Sequence, residues 1–201
     1  PFLFHHSMAT TASSPFKKIQ IQRDDTTFDA YVVGREDAPG IVVIQEWWAA
    51  VKDIAASVNW LKANGSKKVG VTGFCMGGAL SIAGSVLVSE VDAAVAFYGV
   101  PSSQLADPAQ AKAPVQAHFG ELDSFVGFSD ITAAKALEEK LKASGVPHEV
   151  HTYPGNAHAF MNRSSDGIQR RKSMGMPDED EAAVQLAWSR FETWMTRYLS
   201  S

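Results

Sequence analysis

Near the start of the chain, apolar and polar residues alternate in two runs. Ile19 and Ile21 recur at every second position between Lys17 and Arg23, and Phe28 to Val33 repeats the pattern, which is the period of a half-buried strand. Asp24-Asp25-Thr26-Thr27 between them is turn chemistry, so the two runs predict an antiparallel hairpin. From Gly40 the pattern changes. Gly40 to Ile44, Lys67 to Gly73, Ala93 to Tyr98 and Val115 to Phe119 are continuous apolar runs, as expected of strands covered on both faces, and Glu149 to Tyr153 reads as a last strand. Helical stripes come between them. Val51, Ile54, Ala55, Val58 and Leu61 form one that ends at Asn64-Gly65, and a run opens at Gly78. Ile131, Ala134, Leu137 and Leu141 form another, expected to start near Ser129 and to stop at Ser144-Gly145. Val184, Trp188, Phe191, Met195 and Tyr198 share one face of a final helix, with Asp178 and Glu181 after Pro177 as its capping box. An antiparallel start followed by strand-helix alternation predicts an α/β fold: a mostly parallel sheet with helices on both faces.

The composition suits this reading. With 201 residues, 45% hydrophobic and 20% charged, the chain can build one sizeable core, and a single domain over 15–201 is expected. Residues 1–14 are set apart as a disordered tail or translation artefact, because the chain does not start with Met and Met8-Ala9 reads as a natural start. A net charge of -4 gives no support for a nucleic-acid or membrane-surface partner, and no apolar run is long enough to span a bilayer. One cysteine cannot form an internal disulfide, which fits a reducing, cytoplasmic setting. A monomer acting on a small molecule is the expectation.

That cysteine lies in Gly73-Phe74-Cys75-Met76-Gly77-Gly78, between an apolar run and a helix-forming run. Small residues on both sides of a nucleophile, at a strand-to-helix turn, form the nucleophile-elbow pattern with Cys in the place of Ser. The turn is so tight that a Cβ beside the nucleophile would clash. It presents the sulfur at a helix N-terminus, where free N–H groups favour a thiolate and a developing oxyanion. In elbow hydrolases an acid and then a histidine follow in chain order. Here Asp123 follows the strand ending at Phe119, and His158 follows the strand ending at Tyr153, so both belong to loops at the strand C-terminal edge. His158 would move the thiol proton and Asp123 would hold its tautomer.

Other readings of the same letters are weaker. Cys75 occupies the second glycine of a dinucleotide fingerprint, where backbone must approach pyrophosphate. His148 and His151 are three apart on a strand and point to opposite faces, so a metal is not expected, nor is any organic cofactor. Trp47 and Trp48 suit either core or pocket.

With these residues in view, the chain resembles the dienelactone hydrolase family, carboxymethylenebutenolidase-like enzymes of the α/β-hydrolase fold. The resemblance rests on Ile44-Gln45-Glu46-Trp47-Trp48, the Cys75 elbow, Phe119-Gly120-Glu121-Leu122-Asp123 and Tyr153-Pro154-Gly155-Asn156-Ala157-His158-Ala159-Phe160. It implies a triad of Cys75, Asp123 and His158, with Glu46 controlling ionisation of the thiol. It further implies an oxyanion hole from the N–H groups of Met76 and Trp47, and a substrate pocket touching Trp48 and Phe160. The implied activity is hydrolysis of an ester or lactone bond through a thioester.

Two departures stand out. Gln45 to Val51 passes from strand to helix without Gly, Pro, Asn or Ser, at the point where family members carry a further helix and strand. The arginine that follows this region in the family and binds a substrate carboxylate is therefore absent. Loss of one strand would leave the edge of Ile41 to Ile44 open, and the simplest repair is for the hairpin to move onto it. Alternatives to catalysis are a shortened, inactive product of such a gene or a redox-sensitive thiol protein.

Overall fold

A computed structural model describes residues 16–35, 38–44 and 50–200. The expected hairpin is present: β1 (Lys17–Arg23) and β2 (Thr26–Val32) pair antiparallel, with Ile19 opposite Ala30 and Ile21 opposite Phe28. The turn is shorter than the pattern suggested, with Asp24 taking a positive φ of 48°. Five further strands form one parallel sheet in chain order: β3 (Gly40–Ile44), β4 (Val69–Phe74), β5 (Ala93–Phe97), β6 (Val115–Gly120) and β7 (His148–Tyr153).

The apolar stripes place the helices. α1 (Ala50–Ala63), α2 (Met76–Leu87) and α3 (Ile131–Ser144) pack on one face, burying Val58, Ile82, Leu137 and Leu141 against Val71, Val115 and Phe119. On the other face α5 (Glu181–Leu199) buries Val184, Ala187, Trp194 and Met195 against Ala93, Val95 and Phe97. The short helix α4 (Ser165–Ser173) has no apolar stripe, only Ile168, and the hydrophobic pattern does not announce it. Its start is fixed by Ser164, whose hydroxyl accepts from Gly167 N at 3.0 Å.

Two caps differ from expectation. α3 is capped by Asp130, not Ser129, and α5 by Asp180, not Asp178. Asp180 is fixed from both sides: its N–H donates to Asn156 Oδ1 at 3.1 Å, and its carboxylate accepts from Ala182 N at 3.0 Å. Glu181 then becomes the first helical residue, too early to close a capping box. Asp178 pairs instead with Lys172 at 3.4 Å.

The hairpin does not repair the sheet edge. β1 and β2 form a separate two-stranded sheet, and β3 pairs with β4 alone among the described residues. The hairpin is held by α1: Arg23 binds Asp53 at 2.6 Å and Lys52 binds Asp24 at 2.8 Å. On β3, Val42 and Ile44 join the α1–α3 core and Ile41 joins the α5 core, while Val43 is 61% exposed. No helix among the described residues is long and apolar enough to cross a membrane.

Candidate active site

The Cys75 turn is built as its letters require. Cys75 adopts φ 56° and ψ -119°, a conformation that costs a non-glycine residue of order 1–3 kcal/mol. It is held by bonds on both sides: Cys75 N donates to Phe97 O at 2.9 Å, and Cys75 O accepts from Gly78 N at 2.9 Å and Ala79 N at 3.2 Å. A Cβ on Gly73 would collide with the backbone of Gly77, and one on Gly78 would lie 2.5 Å from Phe97 O. Met76 opens α2, so its N–H belongs to the first turn, where no intrahelical acceptor exists.

The loops carrying Asp123 and His158 are tied to each other by backbone. Glu121 N donates to Tyr153 O at 3.0 Å and Leu122 N to Asn156 O at 2.9 Å. This brings Asp123 Oδ2 to 2.7 Å from His158 Nδ1, while Asp123 Oδ1 accepts from Phe125 N at 3.1 Å. Both residues are buried. Nδ1 is thus engaged, and Nε2 is the nitrogen left for the Cys75 side chain, which also interacts with the ring. Burial pulls the imidazole pKa down, but the interactions with Asp123 and Cys75 outweigh it and raise the value to about 9.

The structure brings Asp123 and His158 together at the rim where Cys75 stands, and three further neighbours of the imidazole went unread. The hydroxyl of Ser129, fully buried, lies 3.1 Å from Nδ1 and shares that nitrogen with Asp123. The Phe125 ring meets the imidazole edge-on at 4.4 Å, and Tyr98 does so at 5.0 Å. Ser129 and Phe125 come from one tight turn, in which the N–H groups of Phe128, Ser129 and Asp130 all donate to Phe125 O. Tyr98 sits at φ 41° just past β5; burial, and then the Cys75 charge, push its phenol pKa up, against the pull of Arg171, so it stays a neutral donor. The available signal was position: Tyr98 and Ser129 both fall within a few residues of a strand or helix end at the same sheet edge.

The loop after His158 is fastened from below. Arg171 on α4 is buried, donates through Nη1 to Ala159 O at 2.8 Å and to Asn162 O, and pairs through Nη2 with Glu179. Phe160 differs from its expected place in the pocket. It is 1% exposed and packs behind Tyr98 and Tyr153, because the Arg171 clamp turns the chain inward after Ala159, itself at φ 58°. Glu46, Trp47 and Trp48 lie outside the described residues. His151, on its strand, contacts Glu149 at 3.0 Å, and His148 bonds Val146 O. Among the described residues no cluster of three metal-ligating side chains occurs.

A five-stranded parallel sheet with a cysteine elbow, an acid and a histidine at one edge defines an α/β hydrolase. The profile of the dienelactone hydrolase family matches residues 49–199, and the chain belongs to that family. It is 33% identical over 150 residues to protein usf of Aquifex pyrophilus, covering 72% of this chain and 59% of that protein. It is 26% identical over 183 residues to a carboxymethylenebutenolidase homolog of Xenopus tropicalis, covering 81% of this chain and 70% of the relative. The chain spans little more than half the length of several curated relatives it matches. Among solved structures, a dienelactone hydrolase-like promiscuous phosphotriesterase from metagenomic libraries superposes with a TM-score of 0.68 at 18% identity, covering 91% of this chain and 98% of that one. Thermogutta terrifontis esterase 2 gives 0.67 at 13% identity, covering 94% and 96%. These two likenesses concern the fold.

Proposed function

We propose that the protein hydrolyses ester or lactone bonds of small molecules through a Cys75–His158–Asp123 triad. The observation that carries this is the 2.7 Å Asp123–His158 bond at the rim where the strained turn presents Cys75. The thiolate attacks the carbonyl carbon, and the oxyanion is held by Met76 N–H, joined by Trp47 N–H. His158, as imidazolium, protonates the departing alkoxide oxygen. Neutral His158 then takes a proton from water, which attacks the thioester and releases the acid and the thiolate. Asp123 keeps the Nδ1 proton in place throughout. Glu46 beside the thiol would bias its ionisation, and Trp48 would contact substrate. A good leaving group, such as an enol, suits a thiolate, because the tetrahedral adduct must expel oxygen rather than sulfur. The scheme uses no metal or organic cofactor. We take the working form to be a monomer in a reducing compartment such as the cytoplasm, where the thiol persists.

The test is hydrolysis of 4-nitrophenyl acetate by purified protein, with intact mass to catch acetyl-Cys75. Cys75→Ala should remove the adduct and lower kcat/KM by about 10³-fold or more, with His158→Ala close behind. Turnover unchanged in Cys75→Ala would overturn the reading. A folded protein that forms no adduct and turns nothing over would instead point to the inactive, shortened form.

A further inference from the structure

We propose that the alcohol half of the ester this site accepts is uncharged and apolar, and that Phe125 is its specificity-determining contact. The inference rests on the hydrolase reading above. His158 must deliver its proton to the departing oxygen, so whatever is bonded to that oxygen lies next to the imidazole. The nearest and most open aromatic side chain beside that imidazole is Phe125, edge-on at 4.4 Å and 38% exposed, whereas Phe128 stands off at 6.4 Å, half-buried, and Tyr98 is buried. Its loop adds apolar surface. Leu122 is 54% and Val126 88% exposed, and Met76, directly after the nucleophile, is 36% exposed. Large side chains left in water on the two segments that flank a reacting group are a surface waiting for an apolar ligand.

Charge excludes the alternative. Segments 75–80, 98–106, 120–130 and 154–162, which make this rim, contain no Lys or Arg. The 120–130 loop carries Glu121, Asp123 and Asp130 instead. Beyond residue 162, Arg163 pairs with Glu181 at 2.7 Å, and Arg171 is buried on Glu179 and two carbonyls. A carboxylate on the leaving group would lie beside other carboxylates with no Lys or Arg of these segments to pair it, the His158 charge being already engaged by Asp123.

Two acetates with the same acyl group separate the possibilities: 4-nitrophenyl acetate and 3-carboxy-4-nitrophenyl acetate, each rate divided by its rate with hydroxide. Both give the same acetyl-Cys75, so a preference between them appears only in acylation, measured as kcat/KM or as burst rate. The neutral ester should be favoured by about tenfold or more, the scale of one apolar contact. Phe125→Arg should reduce that ratio several-fold and Phe125→Leu should retain most of it. Val126→Lys, at a position too exposed to endanger the fold, should shift the ratio in the same direction as Phe125→Arg. Equal rates, or preference for the charged ester, would overturn the inference and leave the hydrolase standing. Failure of both esters to acylate Cys75 would overturn both.

Discussion

The two ends of the parallel sheet differ in how they are covered. Toward one end β5 and β6 are buried along their whole length, with α3 on one face and α5 on the other, and β7 beyond them is half-buried. At the other end β3 has one neighbour among the described residues, Val43 is open to solvent, and the hairpin leans on α1 instead of extending the sheet. Asp123 and His158 hang from the covered end. Cys75 hangs from β4, between the two. The difference teaches that the Asp123–His158 pair is anchored where the sheet is well covered, away from the exposed β3 edge.

The largest effect should come from the covered end. A Cβ on Gly99 would drive into the carbonyl of Cys75 and lie 3.0 Å from Ala79 N, both backbone atoms that cannot swing aside. Gly99→Ala should lower stability by about 3 kcal/mol and disturb the elbow, readable as a fall in urea midpoint together with lost esterase activity. A midpoint within error of wild type would show that the elbow yields more easily than its packing implies.

Acidity should produce the next effect, again from this end. His118 is fully buried between Phe97, Gln116 and Tyr153, and burial, reinforced by His151 and Arg190, holds its pKa well below 6.5. His151 is lowered too, mainly by burial, against the pull of Glu149. A base whose pKa is depressed by folding contributes stability above its unfolded value and loses it as pH falls. Stability should therefore drop below pH 6.5, by up to about 1.4 kcal/mol per pH unit for each ring that stays neutral. His158 has the opposite sign: its contribution is complete below 6.5 and is lost as pH rises through about 9. Urea midpoints from pH 5 to 10 would show both limbs, and His118→Gln should flatten the acid one.

The smallest effect belongs to the thin end. Val43→Lys should change stability by no more than about 0.5 kcal/mol, because the side chain already stands in water. It should also reduce concentration-dependent association, seen by light scattering, since a lysine blunts an open strand edge. A loss of several kcal/mol would mean that this edge is covered after all.

Strands, most helices and the Cys–Asp–His set were legible because each depends on local chemistry: β-branched runs, apolar stripes, and small residues around one nucleophile. What escaped the sequence depends on contacts between distant segments. α4 is held by a serine cap and a buried arginine rather than by an apolar stripe. Asp180 outcompetes Asp178 as a cap because Asn156, distant in sequence, anchors its backbone. Ser129 looked like a helix start and instead faces His158, since Asp130 takes the cap. The hairpin's resting place was misread for the same reason: Arg23 and Asp53 are distant in sequence, and no periodicity links them.

The two backbone bonds that stitch the Asp123 loop to the His158 loop have a thermal consequence. His158 and the Asp123 carboxylate bonded to it form one cassette, whose internal spacing should survive until the β6–β7 pair itself comes apart. If heating silences the proposed activity before the protein melts, the fault would then be sought in how Cys75 meets that cassette, not within it.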